Sequence, residues 1–96
     1  MTRLPAALTF AEAAQALVAL QGALAQAPAG APCEIDAADL AAFDTSAIAV
    51  LLQVRREAQQ RGLDFAVRNP PAKLRQLAAL YGVEELLALE PAATPA

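Results

Sequence analysis

The chain has 96 residues, 57% of them hydrophobic, but aromatics are only 4% and Trp and His are both absent. That length allows one small domain, burying roughly 60–65% of the surface its unfolded chain would expose, with a core built from Ala and Leu. A net charge of −3, with seven cations in no long run, excludes the basic footprint of a nucleic-acid binder.

Further function classes fall away. A lone cysteine, Cys33, leaves no internal disulfide and no cysteine metal cluster. Without histidine there is neither imidazole acid/base catalysis nor the commonest metal ligand. The start "MTRLPAALTF" lacks the layout of a secretory leader, and no apolar run reaches the ~18 residues that span a bilayer. A cytoplasmic protein without a membrane span is expected. Charged residues, at 18%, are fewer than usual, which points to a partner covering part of the surface.

In chain order, Leu4 to Leu8 reads as a short strand that Pro5 confines to an edge or a strand start. Thr9 and Glu12 are spaced as a capping box, the hydroxyl accepting from the Glu12 N–H and the carboxylate reaching back to Thr9. A helix is expected over 10–26, with Phe10, Ala13, Ala14, Leu17, Val18, Leu20 and Leu24 as its apolar face. "QAPAGAP" is a loop. "CEIDA" alternates, predicting a strand with Cys33, Ile35 and Ala37 inward and Glu34 and Asp36 outward.

A second helix begins at Thr45 or Ser46 and runs to Arg61, stopped by Gly62. Ala47, Val50, Leu51, Val54 and Ala58 form its apolar stripe. "LDFAVR" predicts another strand, and Asn69-Pro70-Pro71 opens a third helix carrying Leu74, Leu77, Ala78 and Tyr81 to Gly82. "VEELLALE" fits either a helical turn or an edge strand. The expectation is one α/β domain over 1–90 with a flexible tail over 91–96. It is a small sandwich, its mostly parallel or mixed sheet having about four strands and about three helices.

One stretch invites function. "FDTSAIAVLL" (residues 43–52) sets Asp44, Thr45 and Ser46 before an apolar helix. All three residue types are favoured N-caps. The same position exposes unpaired N–H groups that receive an anion readily. A cap and a contact are compatible. Cys33 reads as a small buried hydrophobe, Arg55 and Arg56 as a solvated helix end, and Tyr81 as a core-edge residue. The carboxylates are scattered, and no phosphate loop or nucleophile elbow is present, so an enzyme is not expected and no cofactor is implied.

The strand followed by Asp39-Leu40, then Asp44-Thr45-Ser46 opening an apolar helix, resembles the STAS domain family (sulfate transporter and anti-sigma-factor antagonist). "RREAQQRGLDFAVRNPPAKLRQLAALYGVEELL" is similar in the order of its helix, strand, helix and close. Its last part, from Lys73 to Leu87, resembles the Mla phospholipid-transport branch. That resemblance implies a non-enzymatic subunit bound to the ATPase of an ABC transporter, peripheral to the inner membrane, with Thr45 at the contact. The anti-sigma-factor antagonist branch implies instead an anti-sigma factor or kinase as partner, with Ser46 phosphorylated. The chain carries the threonine of one branch and the serine of the other. It departs from both where Ala47 replaces a glycine, a change expected to hinder close approach of a partner backbone. It also has one N-terminal strand where the family usually has a hairpin, leaving a short sheet edge for weak pairing with a second copy.

Overall fold

The computed structural model describes residues 2–28 and 30–89; the expected tail over 91–96 lies outside the described residues. In chain order the elements are β1 (Thr2–Arg3), β2 (Ala7–Leu8), α1 (Phe10–Gln26), β3 (Pro32–Asp36), β4 (Ala42–Phe43), α2 (Thr45–Gln60), β5 (Asp64–Arg68) and α3 (Ala72–Leu80). This is the small α/β arrangement expected, with parallel strands in two sheets and three helices. The main sheet runs β1-β3-β5, and β2 and β4 pair separately. Leu89 makes a parallel bridge to Val67 on the side of β5 away from β3. The closing segment therefore combines both alternatives, turns followed by a one-residue edge.

Helix α2 is the centre of the packing. It touches α1, β5 and α3, and buries Ala47, Ile48, Val50, Leu51, Val54 and Ala58. Five of these are the stripe read from the sequence. Against them pack Ile35 and Val67, which face each other across β3 and β5, with Leu74, Ala78 and Leu87. Gly62 ends α2 at φ +70, a left-handed conformation that glycine adopts without a steric penalty. There the Gly62 N–H donates to the Gln59 carbonyl at 3.1 Å, and the Leu63 N–H to that of Ala58 at 2.9 Å, closing a Schellman cap.

Three local expectations are corrected. The stretch Leu4 to Leu8 is not one strand. Pro5 has no N–H to continue a ladder, so the chain leaves the main sheet after the Leu4 N–H donates to the Asp36 carbonyl at 2.8 Å. It then bends, and the Ala6 carbonyl accepts from Ala41 and Ala42, starting the second pair.

On α1, Leu20 and Leu24 are buried and Ala13, Ala16 and Leu17 pack against the core, but Phe10 is 84% and Val18 67% exposed, and Ala14 is exposed too. The apolar arc of this alanine-rich helix is wider than the core can cover, so periodicity could not place the edge of the buried face.

Asp36 does not point to solvent. It is 8% exposed, and its Oδ1 accepts from the Ala38 N–H at 3.0 Å and the Asn69 amide at 3.1 Å. These two bonds, Asn69 first, hold its carboxyl below the ordinary range. The bond to Asn69, itself at φ +53, ties the end of β3 to the end of β5. Beside it Glu34 accepts from Arg68 across the same strands at 2.7 Å.

Two substitutions separate these sources of stability. A Cβ added at Gly62 would meet nothing within 4 Å, so Gly62→Ala should cost only the backbone strain, about 1–2 kcal/mol. Leu51→Ala removes a fully buried side chain and should cost about 2–5 kcal/mol. Urea unfolding of the two variants checks both values.

Candidate functional site

The site starts from strand register. Ala7 pairs with Ala42 and Leu8 with Phe43, in parallel. One residue follows on each chain segment, Thr9 and Asp44, and then a helix begins on each, α1 at Phe10 and α2 at Thr45. Two helix N-termini thus emerge side by side from one two-stranded ribbon. Both present unpaired N–H groups and a partial positive charge at the same end of the molecule.

Asp44 serves both. Its backbone is extended (φ −133, ψ −162), one carboxylate oxygen accepts from the Ser46 N–H at 2.8 Å, and the other accepts from the Phe10 N–H at 3.1 Å. The bond from Ser46 and then that from Phe10 hold the Asp44 carboxyl below its ordinary range. The Thr9–Glu12 box takes a different form from the one expected: the Thr9 hydroxyl donates to the Glu12 carboxylate at 2.8 Å, while the Glu12 N–H donates to the Thr9 carbonyl at 3.0 Å. A cap from the neighbouring helix start leaves the Thr9 side chain free to make this contact. At the far end of the same helix pair, Gln21 donates to Glu57 at 2.9 Å.

The four predicted site residues separate by depth. Asp44 and Thr45 are exposed, Ser46 is half-buried and Ala47 is fully buried. Ala47 therefore acts as a core residue, turned away from any partner in this conformation. Thr45 and Ser46 form a ridge between two shallow grooves. Ser46 borders one of roughly 420 Å³ between α1 and α2, lined by Phe10, Ala14, Leu17, Ala49 and Gln53 among others. Thr45 borders one of roughly 530 Å³ with Ala42, Phe43, Lys73 and Leu77. Phe10 and Lys73 were not singled out from the sequence. Phe10 could have been found as the residue that follows a short apolar pair and a hydroxyl, as Thr45 follows Phe43 and Asp44.

Among the described residues no group of three or more His, Cys, Asp or Glu side chains could hold a metal, and no helix is long and apolar enough to cross a membrane. Cys33 is buried, and desolvation pushes its thiol up, away from the reactive thiolate.

The site is an exposed, hydroxyl-bearing helix start on a small parallel α/β fold. The chain belongs to the STAS domain family: the family model described as "Mlab, STAS domain" matches residues 3–89. STAS domains are generally non-enzymatic binding modules, and the family covers both Mla-type and anti-sigma-antagonist members. No curated protein matches the chain.

The shared cap is open to test. Asparagine at position 44 could still accept from the Ser46 N–H, but its amide would set a donor against the Phe10 N–H. Asp44→Asn should therefore loosen α1 more than α2, seen as faster hydrogen exchange in the first turn of α1. The charge adds a pH dependence. Because the folded Asp44 carboxyl lies below its unfolded value, its contribution is complete above about pH 4 and fades as acid titrates the folded carboxylate. The stability gap between wild type and Asp44→Asn should be constant near neutral pH and close in strong acid, as read by denaturation at a series of pH values.

Proposed function

We propose that this chain is a non-enzymatic accessory subunit of an ABC transporter for phospholipid trafficking, a role in keeping outer-membrane lipids asymmetric. It docks on the transporter ATPase through the start of α2 and is held at the cytoplasmic face of the inner membrane by that partner. The observation that carries this reading is the exposed Thr45 on a ridge between an uncharged groove and one that also holds Asp44 and Lys73, in a chain that the Mlab STAS model matches over residues 3–89. Exposed large apolar side chains support it, for Phe10 stands beside the ridge, and Leu80 (77% exposed) continues the α3 face that bears Leu77. Such surface is a common mark of a protein contact.

The ridge is suited to docking because it is rigid before the partner arrives. Ala47, buried two residues after Thr45, anchors the first turn of α2 in the core, and Asp44 fixes the backbone that enters it. Little ordering is left to the binding step, and preorganisation favours affinity for that reason.

The antagonist reading places a phosphate on Ser46. The Ser46 N–H is already taken by Asp44, so the added charge of about −1.5 to −2 would meet a carboxylate at the cap, a clash that suits a switch releasing a partner. Ser46→Asp losing a partner that Ser46→Ala keeps would favour this reading; equal binding by both would remove it.

For the transporter reading, Thr45→Arg places a large cation on an exposed position and should leave the fold intact. Affinity for the purified ATPase should drop roughly hundredfold or more, the scale of a lost interface hot spot. A folded Thr45→Arg protein binding as wild type would overturn it.

A further inference from the structure

We infer that the groove beside Thr45 receives an acidic side chain of the docked ATPase on Lys73, next to an apolar side chain seated between Phe43 and Leu77; this rests on the docking reading above. The argument begins with the asymmetry of the two flanks. The groove on the Ser46 side is lined by no charged residue at all. On the Thr45 side the lining holds one cation, Lys73, and one carboxylate, Asp44. Both oxygens of Asp44 accept from helix N–H groups, those of Ser46 and Phe10.

Lys73 is one of five cations without an ion pair among the described residues, with Arg55, Arg56, Arg61 and Arg75, and it is the one that lines this groove. It is exposed, and among the described residues the ion pairs are made by Arg3 and Arg68 with Glu34, Asp36 and Asp39, none by Lys73. It is the second residue of α3, whose first turn carries no acidic residue. A cation there faces the positive end of the helix dipole, the unfavourable end for its charge. A local rule broken without a compensating contact inside the chain is the mark of a site used by something outside it. The start of α2 at Thr45 borders the same groove with its N–H groups already capped by Asp44, which leaves Lys73 as the cation of the lining that a partner can meet. Charge complementarity then selects a carboxylate as the partner group, and the apolar walls supplied by Ala42, Phe43 and Leu77 select an apolar neighbour for it.

The test titrates the purified ABC ATPase against the full chain and five variants, Lys73→Glu, Lys73→Arg, Lys73→Met, Arg56→Glu and Thr45→Arg, with folding checked by circular dichroism melts. Lys73→Glu should weaken binding about tenfold or more, while Lys73→Arg and Arg56→Glu, the latter an exposed cation on α2, should stay within about twofold of wild type. Wild-type affinity should fall as salt is raised, and less steeply once Lys73 is changed to Met. Unchanged binding by Lys73→Glu, with Thr45→Arg still inactive, would overturn this inference and leave the docking reading standing. An equal loss in Arg56→Glu would also overturn it, since the attraction would then be diffuse. Loss in Lys73→Glu with normal binding by Thr45→Arg would keep the groove contact and remove Thr45 as the docking point. Absence of binding by the wild type would end both.

Discussion

The burial of α2 is the constraint on which the rest of the structure depends. A helix that packs on α1, β5 and α3 at once, and loses six side chains to the interior, has its rotation and its depth set by the core. Its first turn then has no freedom. With Ala47 fully buried at 0% exposure, the two preceding residues must lie at the surface, because a helix turn carries them round to the solvent side. The display of Thr45 is thus a by-product of how Ala47 and Leu51 pack.

The two-stranded ribbon solves a second problem. Short strands of two residues contribute little on their own, yet β2 and β4 set the relative height of two helices. Their register puts Thr9 level with Asp44, so that one carboxylate can neutralise the orphan N–H groups of both helix starts. An arrangement with each helix carrying its own side-chain cap would leave the pair free to slide. Sharing the cap couples them, and the Gln21–Glu57 bond holds the other end. The surface made by the α1 and α2 starts is therefore a single rigid face, and rigidity of that kind is what a docking surface needs when binding energy is limited.

A second polar cluster closes the carboxyl ends of the main strands, just before the ribbon begins. Asp36, Asn69 and Arg3 join the carboxyl ends of the three main strands, and the carboxylate is satisfied by two short bonds. The Arg3 contact, at 3.8 Å from a side chain 73% exposed, adds little to this. Both bonds fall on Oδ1, so this carboxylate spends that oxygen on tying β3 to the residue after β5.

The sequence by itself determined the three helices, the strands at β3 and β5, the apolar stripe of α2, the stops at Gly62 and Gly82, and the position of the Asp44-Thr45-Ser46 helix start, but not β4 or the split of the first strand. Each feature so determined is written in local chemistry: hydrophobic period, left-handed glycine, and side chains that cap. The tertiary structure alone decided how far round α1 the buried face extends, because its apolar arc is wider than its neighbours cover and leaves Phe10, Ala14 and Val18 exposed. It also decided that Asp36 turns inward, since strand alternation cannot foresee an amide from Asn69 arriving 33 residues later. Most of the site's geometry belongs to the same class. That Asp44 caps α1 as well as α2 and that Lys73 stands beside Thr45 follow from the parallel register of β2 with β4 and from the packing of α3. These are long-range pairings, and they leave no signature in any short stretch of residues.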